Sequence, residues 1–371
     1  MGKKVKKIAH ITSVHNRYDA RIFLKECVSL TKLEYTVYLI VADGYGNEVN
    51  SNVSIIDIGK RDRNRYLRMV RTTLKMYKKV KKLKPVICHF HDPELMPIGL
   101  LLKINKIKVI YDVHEDIPKQ ILRKHWIKRK YKKLISRSVN LIDQFFSVYF
   151  DLVITVTESI QDKYKKWNDN VVTVKNYVKA DEITPLASWS EKERAICYIG
   201  NLSEAKGLFN LISMMSQLDC KLIIAGKFHN KEDESKFYKS KISNVVFVGY
   251  IGREEIQKIL NVSKVGLLLL PDVPGYSESL PVKMFEYMAA GLPLVASNFP
   301  LWKTIIENNE CGFCVDPDDH DQTRKKILYL LNNHEKAFSM GMNGRKAIEN
   351  YFNWELEEKK LLYSYKRLID E

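Results

Sequence analysis

Glu278 and Glu286 stand with seven residues between them, in the run Glu278-Ser279-Leu280-Pro281-Val282-Lys283-Met284-Phe285-Glu286 that joins one apolar stretch to the next. A helix beginning near Pro281 would aim its free N–H groups and positive dipole end at a phosphate. Glu278 would then lie in the preceding loop and Glu286 within the first two turns. Both carboxylates could face one ligand. Upstream, Tyr198-Ile199-Gly200-Asn201-Leu202-Ser203-Glu204-Ala205-Lys206-Gly207 reads as a strand, a glycine turn and a cation before a helix, a second group suited to an anion. In the first half, His15, Arg17, Asp19 and Arg21 crowd one loop. His89, His91 and Asp92 close one apolar run, and His114 with Glu115 follows the next. Two histidines two apart beside carboxylates could ligate a metal, but spacing fixes no third ligand, and histidines bonding carbonyls at strand ends would look the same.

These residues need elements to hold them. Short β-branched or apolar runs at Val37–Val41, Val53–Ile58, Val86–His89, Lys108–Asp112, Leu152–Val156 and Val171–Val174 alternate with helix-length segments. The rhythm restarts at Ala195–Ile199 and continues at Lys221–Ala225, Val245–Val248, Val265–Leu270, Pro293–Ala296 and Phe313–Val315. Such alternation predicts parallel sheets with crossover helices, in two domains parting near residues 180–192. Ligands in doubly wound sheets sit outside the carboxyl ends of the strands, where the candidate residues fall. Asp316-Pro317-Asp318 precedes a helix-length segment and reads as helix capping. Cys311 and Cys314 form a lone CxxC without a second pair at zinc spacing and are assigned to packing.

With 45% apolar and 28% charged residues in 371, the chain fits an ordinary globular class and excludes disordered and fibrous ones. Its scattered cysteines suit a reducing compartment, and Leu141–Val156 is interrupted by Asp143, Gln144 and Asp151, too polar to span a bilayer. We therefore expect a cytoplasmic protein. Residues 1–185 hold 37 Lys and Arg against 19 Asp and Glu, a balance of +18, whereas the remainder carries −1. Twelve of the basic residues lie in Lys60–Lys84 and nine in Lys119–Arg137, interleaved with Tyr66, Leu74, Tyr131 and Leu134. That pattern suits peripheral contact with an anionic membrane. Nucleic acid is the competing polyanion, but no recognised nucleic-acid motif accompanies the charge.

The glutamate segment resembles family 4 of the retaining glycosyltransferases, whose GT-B fold has two Rossmann-like domains. Residues 283–291, Lys-Met-Phe-Glu-Tyr-Met-Ala-Ala-Gly, match one subgroup closely, as do residues 10–30. The likeness runs from residue 8 to about 350 and implies two doubly wound α/β domains facing a central cleft. Residues 1–185 would bind acceptor, with 352–371 as a helix returning to them, and 192–351 would bind the nucleotide-sugar donor. By that resemblance Glu286 holds the ribose and Glu278 the transferred sugar. Gly200, Asn201, Lys206 and the amides near Ser279 and Leu280 hold the diphosphate. His114 lies beside the sugar, so His114, Lys206 and Glu278 form the expected catalytic set, and His15, Arg17, Asp19, Arg21, His91, Asp92 and Glu115 line the acceptor side. The implied reaction moves a hexose-type sugar from a nucleotide sugar to a glycan or lipid-linked glycan, without resident metal or cofactor. A nucleotide-sugar epimerase and a non-catalytic basic binding protein are the alternatives. The chain departs from the family at Asn201, where an arginine is common, so Lys206 must do more or another cation must help. Ser279-Leu280 stands where Gly-Phe-Gly is common, and the paired glycine of the first loop is missing.

Overall fold

The computed structural model describes residues 5–370 except 125, 126, 184–188, 241 and 274, and except the side chain of residue 65. Residue 185, expected to end the first domain, and Pro274, ahead of the glutamate segment, fall outside the described residues. The chain forms two compact units, Met1–Asn176 with Glu355–Glu371, and Tyr177–Trp354. The first unit ends ahead of the polar stretch because Tyr177, Val178 and Ile183 are already buried in the core of the second.

In the first unit, strands β1 (Lys6–Ile11), β2 (Tyr35–Val41), β3 (Glu48–Asn50), β4 (Val53–Asp57), β5 (Ile87–Phe90), β6 (Lys108–Val113), β7 (Leu152–Thr155) and β8 (Val171–Thr173) make one sheet. Its order is β3-β4-β2-β1-β5-β6-β7-β8. All pairs are parallel except β3 with β4. The order reverses between β1 and β5, the crevice where doubly wound sheets receive ligands. The helix Trp354–Asp370 buries Leu361, Tyr365 and Leu368, and Tyr365 reaches His10 on β1.

The second sheet comprises β9 (Ala195–Ile199), β10 (Lys221–Ala225), β11 (Val245–Phe247), β12 (Val265–Leu268), β13 (Leu294–Ser297) and β14 (Gly312–Val315). Its order β11-β10-β9-β12-β13-β14 is that of a dinucleotide-binding fold, with the reversal between β9 and β12. Strands β9, β12 and β13 are buried on both faces, which is why they read as unbroken apolar runs. Helix Val282–Ala289 begins just after Pro281 and buries Met284, Phe285, Tyr287 and Met288. Asp319 caps helix His320–Asn332 by accepting from the Gln322 amide, and Cys311 and Cys314 are free thiols.

Candidate functional site

In the second unit the donor candidates gather at the β9–β12 reversal. Gly200 ends β9 at φ +143° and Gly226 ends β10 at φ +150°. A Cβ on Gly226 would collide with the Gly200 carbonyl, so the two loops can approach only as glycines. Asn201 is exposed, and Lys206 lies in the short turn Glu204–Lys206 that Gly207 closes at φ +76°. Glu278 is exposed in the turn before helix Val282–Ala289. Glu286, by contrast, is 8% exposed and accepts from Arg253 Nη1 at 2.6 Å. Arg253 also pairs with Glu182 at 3.4 Å. Sequence reasoning missed it, because nothing local ties it to a carboxylate 33 positions away.

One expectation needs correction. The Ser279 amide is already spent on the Tyr276 carbonyl at 3.1 Å, and Trp302 Nε1 holds the Ser279 carbonyl at 2.7 Å. Ser279 therefore shapes the loop. The amides of Leu280, Val282 and Lys283 are the ones given no acceptor among the described residues, because the first N–H groups of a helix have no intrahelical partner.

The first unit collects most of its candidates at the β1–β5 reversal. Asp112, at the end of β6, is fully buried and receives Arg21 on both oxygens at 2.9 Å. Its Oδ2 also meets His114 Nε2 at 2.8 Å and His91 Nδ1 at 3.2 Å. Burial opposes the Asp112 charge, yet Arg21 and His114 outweigh it and hold the carboxyl well below its usual range. Glu26, equally buried with Asp112 beside it, is raised well above the usual range by burial. Arg21 and Asp112 thus balance as one cation and one anion, with Glu26 as the neutral acid.

From Asp112 a hydrogen-bond chain runs inward. His91 Nε2 meets His10 Nδ1 at 3.1 Å, His10 Nε2 meets the Tyr365 hydroxyl at 3.0 Å, and that hydroxyl meets His89 Nδ1 at 2.8 Å. The ionised Asp112 sets the direction. His91 must donate to it from Nδ1, His10 then donates to His91, Tyr365 to His10 and His89 to Tyr365, if each imidazole is neutral. Burial lowers all three histidines, His91 to about 4, so neutrality is their ground state. The direction leaves His89 Nε2 as a bare lone pair, and that nitrogen has no hydrogen-bond partner among the described residues. At the other end, His114 donates from Nε2 to Asp112. His10, Glu26, His89 and His91, and separately His91, Asp112 and His114, have the density of metal ligands, with ligand atoms within 4.8 Å of one another. The chain engages nearly every one of those nitrogens without an ion.

Three acceptor-side expectations change accordingly. Arg21 is 3% exposed and its donors go to Asp112 and the Val174 carbonyl. Arg17 is 7% exposed and is spent on Asp43, Glu48 and the Gly46 carbonyl. His91 lies inside the chain just traced. All three brace the site from beneath instead of presenting donors to a ligand. Asp92 is also braced, receiving Thr12 Oγ1 at 2.9 Å and the Ser13 amide at 2.6 Å. His15 lies between Asp19 at 3.3 Å and Asp92 at 3.5 Å, its ring 5.2 Å from that of His114. Burial opposes its proton, but the Asp19 bond and the Asp92 charge outweigh that and raise its pKa. Glu115 is exposed.

With this geometry in hand, the comparisons with known proteins are decisive for the family. The profile of "Glycosyl transferases group 1" matches residues 181–347, and that of "Glycosyltransferase Family 4" matches residues 20–182. The chain belongs to the family 4 glycosyltransferases. It is 23% identical over 253 residues to an uncharacterised glycosyltransferase, MJ1607, of Methanocaldococcus jannaschii, covering 62% of this chain and 64% of that protein. It is 23% identical over 296 residues to the sulfoquinovosyl transferase SQD2 of Arabidopsis thaliana, covering 76% of this chain and 56% of that one. These matches span under two thirds of the relatives' length. Among solved structures, sucrose-phosphate synthase from Thermosynechococcus elongatus has a TM-score of 0.80 at 16% identity, over 98% of this chain and 99% of that one. HepE from Anabaena, solved with UDP and glucose, has a TM-score of 0.75 at 12% identity, over 98% of this chain and all (100%) of that one. The fold is therefore GT-B.

Proposed function

We propose that this glycosyltransferase transfers a hexose-type sugar, with retention of configuration, from a nucleotide-diphosphate sugar to a glycan precursor. The observation that carries the reading is the convergence of the Gly200 turn, Lys206, the open amides of Leu280, Val282 and Lys283 and the buried Glu286 at one strand-order reversal. Departure of the nucleoside diphosphate puts negative charge on phosphate oxygens, which those amides and Lys206 oppose. The anomeric C–O bond breaks with its electron pair going to the phosphate. The acceptor hydroxyl oxygen bonds the anomeric carbon on the same face, and its proton leaves with the phosphate. Glu286 accepts from the ribose hydroxyls, Glu278 positions the sugar, and His114 offers Nδ1 to a sugar hydroxyl. The reaction as read needs no resident metal or cofactor.

The acceptor is proposed to lie at a membrane surface. Helix Arg129–Ser147 continues into Val148 and Tyr149. Tyr131, Leu134, Leu141, Ile142, Phe145 and Tyr149 are exposed along it at helical spacing, flanked by Arg129, Lys130, Lys132, Lys133 and Arg137. An apolar stripe between cations suits the interface of an anionic bilayer. Among the described residues, no helix is long and apolar enough to cross one.

A thermal-shift panel tests the donor reading, using UDP, GDP and their sugar conjugates against wild type and Glu286→Ala. One nucleotide at a hundred times its Kd should stabilise wild type by about 2.7 kcal/mol, and the variant should lose that shift. No shift with any nucleotide would favour the non-catalytic binding protein. Consumption of donor without acceptor would favour the epimerase.

A further inference from the structure

The donor site contains a cation that the family pattern leaves unassigned. Lys283 is the second residue of helix Val282–Ala289, and its Nζ stands 4.1 Å from the centroid of the Tyr198 ring. It overlies the end of β9 so closely that a Cβ added to Gly200 would meet Nζ at 3.5 Å. We propose that Lys283 binds the diphosphate of the nucleotide sugar and supplies the positive charge that Asn201 cannot.

Resting on the donor reading above, this inference adds the residue that completes its charge balance. A nucleoside diphosphate carries more than one negative charge, and Lys206 is a single cation at the Gly200 turn. Arg253 is not available, because Glu286 and Glu182 hold it. The Lys283 amine has no hydrogen bond or ion pair among the described residues. Its contact is the face of Tyr198, a ring that is 1% exposed. Retaining an ammonium in such a place costs solvation that a neutral ring only partly returns. Burial accordingly draws the amine down to about 8, against the pull of Glu286. An anion between the Gly200 turn and the open amides of Val282 and Lys283 would remove that cost. Lysine acts there as a point charge where the family's arginine is a fork, which suits an approach over a glycine turn from the opposite wall.

The competing account is structural, with Lys283 serving only to cover Tyr198. Calorimetric titration of wild type, Lys283→Met and Lys283→Arg with UDP, GDP and the corresponding nucleosides separates the two. For whichever base binds wild type, Lys283→Met should weaken the diphosphate roughly ten- to hundredfold and the nucleoside less than about twofold. Lys283→Arg should retain most of the affinity, and Asn201→Arg placed on Lys283→Met should restore part of it. A Lys283→Met protein that melts lower but binds diphosphate as wild type does would overturn the inference and leave the donor reading intact. An equal loss for nucleoside and diphosphate would also overturn it, as a collapse of the pocket. Should Lys283→Met not fold, Lys283→Gln with the same ligands decides. If wild type binds neither nucleotide, the donor reading fails and this inference with it.

Discussion

The two strand-order reversals in this chain are built in opposite ways. At the β1–β5 reversal, Arg21, Asp112, His91, His10, Tyr365 and His89 are linked in a buried hydrogen-bond chain that leaves His89 Nε2 bare at its inner end, while His114, His15, Asp19 and Glu115 reach outward. At the β9–β12 reversal, the helix start and Lys283 are left with donors open among the described residues, and in the Glu286–Arg253 ion pair the arginine side chain is 42% exposed. A site whose polar groups are mutually satisfied is rigid before any ligand arrives. One with unsatisfied donors is completed by its ligand. The contrast suits a nucleotide whose charge is constant in the second unit, and a shaped wall for a sugar in the first.

The sharpest break of that comparison is to remove one charged partner from an ion pair in each unit. Arg21→Met leaves the ionised Asp112 buried without its counterion and should destabilise the first unit by about 3–5 kcal/mol. Glu286→Ala merely frees Arg253, whose side chain is 42% exposed, and should cost less than about 1 kcal/mol. Urea unfolding followed by amide exchange in β1 and β9 reads the two units separately. Equal losses would mean that the second site is as internally braced as the first.

Most strand positions were legible because both sheets are parallel apart from the β3–β4 pair, and their buried strands read as contiguous apolar runs. The first unit shows the limit of that logic. Strand β3, Glu48–Asn50, is polar and short, and it pairs back on β4 through Ser51 and Asn52 at φ 49° and 61°, a turn without the glycine that advertises a tight hairpin. In the site, Gly200, Glu278 and Glu286 were readable from local order along the chain. Glu26 and Tyr365 were not, since Tyr365 meets His10 across 355 positions and gains its meaning only through the fold. The loop of Arg17 and Arg21 was readable, but their carboxylate partners Asp43 and Asp112 were not, because a charged residue in a loop looks the same whether it faces solvent or a buried carboxylate.

Acid should separate the two units next. His10, His89 and His91 have folded pKa values lowered by burial, so they stay neutral in the native state while the unfolded chain takes up protons below about 6.5. Stability from these groups is therefore complete above that pH and is lost as pH falls toward about 4, the value for His91. The slope is at most about 1.4 kcal/mol per pH unit for each histidine. His15 runs the other way. Its raised value contributes stability below about 6.5 that is lost as pH rises through its folded pKa. The three buried histidines outnumber it, so exchange protection at the ends of β1, β5 and β6 should fall between pH 7 and 5, while β9 and β12 hold steady. Flat protection in both units would mean that the histidines are charged or that the chain is not formed as traced.

The smallest expected effect concerns the surfaces. Both units expose single apolar side chains, but only the first lines them along a helix beside an unopposed basic run. Attraction to an anionic bilayer is worth about 1 kcal/mol per basic residue near the surface. Lys133→Gln should therefore reduce co-sedimentation with phosphatidylglycerol vesicles about fivefold, with melting temperature unchanged because Lys133 is exposed. Lys258→Gln on the second unit should leave vesicle binding where it was. If the two substitutions act alike, the charge asymmetry between the halves is a solubility feature and the membrane-bound acceptor loses its support. If only Lys133 matters, the amphipathic helix is the docking face, and the same unit that holds the pre-satisfied histidine chain also brings the enzyme to its acceptor.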